Sequence, residues 1–169
     1  MDALEAIYGR RSIRQYTAEA VSEKLLEKLL KAAMSAPSAG NEQPWHFVVI
    51  DDRQMLNDIT MVHPYAEMLK QAPLAILVCG DPDLEKHPGN WVIDCSAAVE
   101  NILIAAHALG LGTVWLGVYP RTDRMAGISR LAALPDRILP LALIAVGYSA
   151  EQKTPSDRYQ LSRIHRNQW

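Results

Sequence analysis

The stretch GRRSIRQYT near the start of the chain brings together side chains that bind phosphate: Arg10, Arg11, Ser12 and Arg14. Guanidinium groups and a hydroxyl hold phosphate through charge-assisted hydrogen bonds, and the planar guanidinium fork engages two oxygens at once. The residue types alone leave a second interpretation open, a solvated charge cluster with surface ion pairs to Glu5 or Glu19. An anion site is therefore expected here only if other segments support it.

Two later segments could complete such a site. Lys153 and Arg158 follow the last predicted strand, and a basic pair after a strand end can form the far wall of a phosphate site. The loop PSAGNEQPW combines Pro and Gly with side chains that can hydrogen-bond the polar edge of a ring: Ser38, Asn41 and Gln43. An ordinary loop leading into a strand is the simpler explanation of this second segment.

Several other chemistries find no support in the sequence. No GxGxxG, GxxxxGK[ST] or GxSxG motif indicates a dinucleotide-binding turn, a P-loop or a nucleophile elbow. The five histidines lack ligand spacing and the two cysteines, Cys79 and Cys95, lack a CxxC pattern, so we expect no metal site and two buried thiols. With 17 basic and 19 acidic side chains, the net charge of -2 creates no global field for nucleic acid or an anionic membrane.

The elements that must position these residues fit one predicted domain, residues 1–169. A hydrophobic content of 49% is enough for a core in a chain of 169 residues. Helices are predicted after the caps Asp2 and Ser22, at 53–59, 64–71 and 90–109, and after a cap at Thr122 or Asp123. Short buried strands are interleaved with them: HFVVID, PLAILVCGD, TVWLGVY and PLALIAVGY. We expect one sheet covered by helices, in an α/β or α+β fold.

The sequence also predicts the location and the oligomeric state of the protein. The N-terminus lacks a basic region followed by an apolar run, so a cytoplasmic location is expected. Polar side chains interrupt the apolar segment 91–111 and argue against a membrane span: Asp94, Glu100, Asn101 and His107. Helices that are apolar on several faces, and a polar tail with large apolar residues, predict a homodimer in which a second copy covers these surfaces.

Four segments in order resemble those of the FMN-dependent nitroreductase family: RRSIRQY, APSAGNEQPWHFVVI, WLGVYP and a tail with Lys153 and Arg158 after VGY. Together they span nearly the whole chain, whose length is similar to that of the small family members. The resemblance implies an α+β nitroreductase-like fold with a central, mostly antiparallel sheet covered by helices. It further implies an intertwined homodimer that holds two FMN molecules at the subunit interface.

The same resemblance implies a set of FMN contacts. Arg10, Ser12 and Arg14 would line the phosphate, ribityl chain and pyrimidine edge, with Arg14 near N1/O2 as an electrostatic tuner. The remaining implied contacts are Lys153 and Arg158 at the phosphate, Leu116 and Gly117 at the reactive edge, and Pro37, Ser38, Ala39 and Asn41 from the second subunit. Arg11 belongs to the binding segment, but we expect its side chain to point away. Two positions depart from the family pattern: Arg14 replaces a lysine of many relatives, and Tyr65 stands nearest to a family asparagine.

The activity that the resemblance implies is an FMN-dependent NAD(P)H oxidoreductase. In a ping-pong cycle, NADH or NADPH would reduce FMN and leave, and a small-molecule acceptor of the nitroaromatic or quinone type would take the electrons. No side chain is expected to act as a nucleophile or an acid–base catalyst. The alternatives are a specialised flavoenzyme of the same fold, dehalogenase-like or flavin-destroying, an FMN-binding or storage protein, and a structural or regulatory dimer.

Overall fold

A four-stranded sheet forms the centre of the computed structural model, which describes residues 1–169. The strands are β1 (Trp45–Ile50), β2 (Leu74–Gly80), β3 (Gly112–Gly117) and β4 (Leu139–Gly147). They lie in the order β1-β2-β4-β3, and every neighbouring pair is antiparallel. The central strands β2 and β4 are almost continuous apolar runs, and their burial on both faces explains that composition.

Five α-helices surround the sheet: α1 (Ala3–Gly9), α2 (Glu23–Met34), α3 (Arg53–Val62), α4 (Trp91–Ala108) and α5 (Thr122–Leu131). The predicted caps of α1 and α2 are confirmed. The side chain of Asp2 accepts the backbone N–H of Glu5 at 2.9 Å, and that of Ser22 accepts the backbone N–H of Leu25 at 3.4 Å. Each bond satisfies an amide that the first helical turn leaves without a partner.

Two helix predictions are wrong in detail. The cap of α5 is Arg121, with no side-chain hydrogen bond, because a turn from Val118 to Arg121 brings the chain into the helix one residue earlier. The segment 64–71 contains only a short 3-10 helix, Glu67–Lys70. His63, which precedes a proline, has an extended backbone that ends α3 and separates it from this turn.

The helices bury a separate apolar cluster on each face of the sheet. Alternate residues of β2 enter the two clusters, since successive side chains of a strand point to opposite faces. Ile76 joins Leu29 of α2 and Ile102 of α4, whereas Leu77 joins Leu56 of α3. Helices on both faces of one antiparallel sheet confirm the predicted α+β fold class.

The long helix predicted over 90–109 is α4, and it lies against α2 and the sheet. Its length and composition alone would also suit a membrane crossing, with 44% of the helix buried in this structure. Cys95 on α4 and Cys79 on β2 are both buried and unpaired, as predicted. Burial raises the pKa of each thiol to about 12, and Cys95 Sγ donates to the carbonyl of Cys79 at 3.5 Å.

The N-terminal loop lies along the free edge of β3, at one end of the sheet. The backbone N–H of Ile13 donates to the carbonyl of Thr113 at 2.9 Å, and Ser12 forms a parallel bridge with Thr113. Farther along, Tyr16 bridges Ser149, which follows β4, and its buried hydroxyl donates to the carbonyl of Ile13 at 2.7 Å. These bonds hold residues 10–14 between β3 and the segment that leaves β4.

Candidate functional site

Two adjoining clefts share Arg10 and Arg11 as a wall. The basic cleft, about 430 Å³, lies between the N-terminal loop, the end of α4 and the segment after β4. Its lining includes Arg10, Arg11, His107, Gly112, Thr113 and Lys153. The tail cleft, about 610 Å³, lies between the two arginines and the tail, and its lining includes Arg158. Basic side chains from both ends of the chain therefore lie together.

Two of these cations are already paired with carboxylates. Arg10 Nε lies 3.3 Å from Oε1 of Glu100 on α4. Lys153 Nζ lies 3.2 Å from Oε1 of Glu151 and donates to the carbonyl of Ser12 at 2.8 Å. These pairs fix the positions of Arg10 and Lys153 and reduce the positive charge that they offer to a ligand.

Arg11 joins the two ends of the chain and keeps one nitrogen free. Its Nη1 donates to the carbonyls of Tyr8 and Arg10 at 3.0 and 2.6 Å, and its Nε donates to the carbonyl of Thr154 at 3.0 Å. Its Nη2 is buried without a hydrogen-bond partner. The side chain therefore lines both clefts instead of pointing away, because distant backbone carbonyls hold it there.

A phosphate group would fit the space beside Arg11 and Arg158. A buried guanidinium nitrogen without a partner is costly, and an anionic oxygen would satisfy it. Arg158 adds a second guanidinium whose one hydrogen bond goes to Ser156 Oγ at 3.2 Å, and it has no carboxylate within ion-pair distance. Arg11 and Arg158 together offer the charge and the donors that phosphate oxygens require.

Two titratable groups near the basic cleft have shifted pKa values. The Oε1 of Glu151 accepts the backbone N–H of Arg14 at 2.6 Å, and this bond, followed by Lys153, lowers the pKa of Glu151. Partial burial, followed by the charges of Arg10 and Arg11, lowers the pKa of His107. The positive charge of the cleft therefore comes from arginine and lysine, with a neutral imidazole beside them.

A third cleft lies at the far end of β3. This strand cleft, about 430 Å³, is lined by residues of the N-terminal loop, β3, α5 and the segment after α3, among them Arg14, Trp115, Leu116, Gly117, His63, Tyr65 and Arg124. A Cβ built on Gly117 would meet no atom within 4 Å, so open space remains beside that backbone. One loop thus presents Arg10 and Arg11 to the basic cleft and Arg14 to the strand cleft.

His63 and Arg124 both contact the end of β3. His63 Nε2 lies 2.9 Å from the carbonyl oxygen of Gly117, and its Nδ1 accepts the backbone N–H of Tyr65 at 3.3 Å. This pair of bonds selects the neutral ring with its proton on Nε2. Burial is the main cause that lowers the pKa of His63. Arg124 Nη1 donates to the same carbonyl at 3.0 Å, so Gly117 accepts two hydrogen bonds.

The loop expected to reach FMN from a second subunit lies apart from the clefts of its own chain. None of its predicted contact residues lines a cleft: Pro37, Ser38, Ala39 and Asn41. The backbone N–H of Ala39 donates to Oδ1 of Asp94 at 3.1 Å, while Oδ2 of Asp94 and both carboxylate oxygens of Glu42 are buried without partners. Within one chain, this loop takes no part in the site.

The sequence model of the Nitroreductase family matches residues 7–62 and 57–148. The chain belongs to the nitroreductase family. The matched ranges include the N-terminal loop, α4, β3 and α5, which contribute residues to the basic and strand clefts or border them. The family predicted from the sequence is therefore confirmed.

Similar proteins extend over the whole of this nitroreductase-family chain. A protein of Methanothermobacter thermautotrophicus, provisionally named an NADH dehydrogenase/NAD(P)H nitroreductase, is 54% identical over 100% of this chain and 88% of its own length. A crystal structure under the same provisional name, from Bacteroides thetaiotaomicron, has a TM-score of 0.95 at 44% identity, covering 99% of this chain and 98% of that one. A provisionally named nitroreductase of Desulfovibrio desulfuricans, solved in complex with FMN, has a TM-score of 0.86 at 34% identity, covering 100% of this chain and 98% of that one.

Several residues that line or organise the clefts of this nitroreductase-family fold were not predicted from the sequence: His63, Glu67, His107, Arg124 and Glu151. None belongs to a sequence motif, and the contact of His63 with the strand cleft joins residues 54 positions apart, since its partner is Gly117. Glu151 offered the one usable indication, since it lies two positions from Lys153. An acidic residue beside a predicted phosphate ligand suggests an ion pair that holds the ligand in place.

Proposed function

We propose that this nitroreductase-family enzyme uses FMN to pass electrons from NADH or NADPH to nitroaromatic or quinone-type acceptors in a ping-pong cycle. FMN, when bound, supplies the ability to accept a hydride from one ligand and return the electrons to another. Leu116 and Gly117 border the open space where both ligands would bind. Because they would use the same space, the nicotinamide must leave before the acceptor enters.

One observation carries the proposal: a single loop faces two chemically different regions. Arg10 and Arg11 line the basic and tail clefts, and Arg14, a few positions later, lines the strand cleft. FMN has a phosphate at one end and a planar ring at the other. A loop that offers phosphate donors at one end and a cation beside an aromatic cleft at the other matches that division.

The residues of the chain have separate tasks in this proposal. Arg11 and Arg158 bind phosphate oxygens, while Arg10 and Lys153, held in place by their ion pairs with Glu100 and Glu151, contribute a smaller positive charge. Ser12 follows Arg11 in the same loop and lines none of the clefts within one chain; in this proposal it would contribute a hydroxyl along the ribityl chain. Arg14 places a cation near N1/O2, where negative charge develops when the ring accepts a hydride, and a preorganised charge favours that step.

The electron balance needs no residue of the chain as a reactant. NAD(P)H gives up one hydride and becomes NAD(P)+, and solvent supplies one further proton. The two electrons and two protons convert a quinone to a hydroquinone, or a nitro group to a nitroso group with loss of water. His63 is the titratable group in the strand cleft with a shifted pKa, and both its ring nitrogens are engaged in hydrogen bonds.

A homodimer in the cytoplasm, without nucleic acid or membrane partners, completes the proposal. Every residue from 152 to 169 is exposed in the single chain, including Tyr159, Leu161, Ile164 and Trp169. A tail with this apolar content favours burial against a second copy. The loop 37–41 would then reach the FMN of the partner subunit, which gives Pro37, Ser38, Ala39 and Asn41 their role.

The decisive experiment follows the visible absorbance of the protein after incubation with FMN and removal of the excess. NADH and NADPH are added separately under anaerobic conditions. Bleaching by either donor, followed by recovery when a quinone is added, is the expected result. Steady-state rates measured with both substrates varied should give parallel double-reciprocal lines. Bound FMN that neither donor bleaches would favour a storage protein or a specialised flavoenzyme, and failure to retain FMN would contradict the proposal.

A further inference from the structure

The strand cleft contains more positive charge than the proposed FMN contacts use. Arg14 and Arg124 both line it, and neither guanidinium has a carboxylate within ion-pair distance. The acidic residue in the lining, Glu67, is paired with Lys70, whose Nζ lies 2.7 Å from its Oε1. Because Arg14 is assigned to the N1/O2 edge of the ring, Arg124 remains available for another ligand.

One nitrogen of the Arg124 guanidinium is hydrogen-bonded to the backbone, and the other two nitrogens are free to bind a ligand. Its Nη1 donates to the carbonyl of Gly117 at 3.0 Å, and its guanidinium carbon lies 5.2 Å from the ring centroid of Tyr65. His63 donates to the same carbonyl at 2.9 Å and so fixes the oxygen that Arg124 binds. Nε and Nη2 of Arg124 make no hydrogen bond within the chain. They form one side of the guanidinium fork, which can bind a carboxylate through two parallel bonds.

Planar and apolar surfaces frame the same space. Trp115 and Tyr65 line the strand cleft and are 36% and 68% exposed, respectively. Leu116 and Met68 supply the remaining apolar lining. Exposed aromatic side chains around a cleft, with the free donors of Arg124 in its lining, suit a flat molecule that carries a negative group at one end.

We infer that the acceptor is a planar, conjugated molecule with a carboxylate, and that Nε and Nη2 of Arg124 bind this carboxylate beside the flavin. The inference rests on the proposed function, because it names the substrate class of the same site. Arg124 acts as a binding residue that orients the acceptor within the strand cleft. The 2′-phosphate of NADPH carries the same kind of charge and is the other source that the experiment must distinguish.

The test compares 4-nitrobenzoate with 4-nitrobenzamide, two nitro compounds of similar shape that differ in charge. FMN-loaded wild-type protein is expected to show at least a tenfold higher kcat/KM for the benzoate, mainly through a lower KM. R124Q should remove most of this preference, and R124K should restore part of it because the charge returns without the fork. R130Q changes another arginine of α5, outside every cleft, and should leave the preference as it is.

A binding measurement provides a second readout without turnover. Calorimetric titration of the FMN-loaded protein with benzoate and benzamide should show tighter binding of benzoate, and R124Q should abolish the difference. Equal kcat/KM for the two nitro compounds in both wild type and R124Q would overturn the inference while leaving the proposed function intact. If R124Q raises the KM for NADPH but not for NADH and leaves the preference for benzoate unchanged, Arg124 binds the 2′-phosphate of NADPH and not the acceptor. Failure of NAD(P)H to bleach the bound flavin would instead refute the proposed function.

Discussion

Arg11 is the residue through which the N-terminal loop and the tail depend on each other. It donates to carbonyls of both segments and leaves Nη2 buried without a partner. Each hydrogen bond from a charged group contributes about 1.5–3 kcal/mol, and an unsatisfied charged nitrogen costs a comparable amount. A bound phosphate would remove that cost, so we expect the side chain to contribute to FMN affinity and to the position of the tail.

Arg11→Ala should therefore weaken FMN binding by roughly tenfold to a hundredfold, since about 1.4 kcal/mol corresponds to a factor of ten. The affinity is measured by quenching of flavin fluorescence during titration. Arg11→Lys should lie between wild type and the alanine variant, and Arg130→Ala should bind FMN normally. If Arg10→Ala loses FMN while Arg11→Ala retains it, the expectation from the sequence that Arg11 points away is correct after all.

His63 links stability to pH. Burial lowers its pKa in the folded protein, while the unfolded chain titrates near the ordinary value of about 6.5. As pH falls through that value, the unfolded state binds the proton first, so the free energy of unfolding decreases. Urea midpoints at pH 7.5 and 5.5 should show this loss in the wild type. His63→Gln should be less stable at pH 7.5 but lose less between the two pH values. An equal loss in both proteins would assign the effect to other groups, among them His107, whose pKa is also lowered.

At the scale of elements, β3 supports the site at both its ends. Gly112 begins the strand against the N-terminal loop, and Gly117 ends it beside the strand cleft. A Cβ on Gly112 would lie 2.9 Å from Cγ2 of Ile13, closer than two carbon atoms can pack, whereas one on Gly117 meets nothing within 4 Å. The same substitution should therefore have opposite consequences at the two positions.

Gly112→Ala should lower the free energy of unfolding by about 1–3 kcal/mol, because overpacking displaces Ile13 and with it the loop that carries the arginines. Gly117→Ala should leave the FMN-free protein close to wild-type stability and reduce kcat/KM for the acceptor, because the methyl group occupies space beside the ring. Denaturant unfolding and steady-state kinetics on both variants separate the two effects. A destabilised Gly117→Ala protein would show that this space is not open in solution.

Local rules predicted the elements that are controlled by neighbours in the chain. Asp2 and Ser22 cap helices through bonds to residues three positions away, and the continuous apolar run of β2 reflects its burial on both faces. The direction of Arg11 was not predictable in this way, because its partner Thr154 lies 143 positions along the chain. The position of Arg124 was also not predictable, because its guanidinium binds the carbonyl of Gly117 in another element. That carbonyl also accepts a hydrogen bond from His63.

At the scale of the whole molecule, the tail is the segment whose surroundings one chain does not supply. Leu161 and Ile164 are 72% and 49% exposed and follow Arg158, which lines the tail cleft. Burying one such side chain contributes about 1.5–3 kcal/mol, so a few of them are enough to hold two copies together. The FMN site and the subunit contact would then depend on the same eighteen residues, 152–169.

We expect the wild-type protein to sediment at twice the mass of one chain. The double variant Leu161→Asp/Ile164→Asp should shift it toward the monomer and weaken FMN binding in parallel, because the loop 37–41 of the partner is lost. Analytical ultracentrifugation over a range of protein concentrations measures the first effect. Met61→Asp places one such charge on an exposed apolar residue of α3 and should remain a dimer. A monomeric wild type that holds FMN normally would rule out this arrangement.

The two buried cysteines provide a measure of core opening that is independent of the flavin. Cys79 lies on β2 and Cys95 on α4, and Cys95 Sγ donates to the backbone carbonyl of Cys79; with pKa values raised to about 12, neither forms a thiolate at neutral pH. Electrons can therefore pass through the protein without entering its own sulfur atoms. An alkylating reagent would modify only molecules in which the core around Cys79 and Cys95 has opened. The rate of labelling therefore measures how often this part of the core opens.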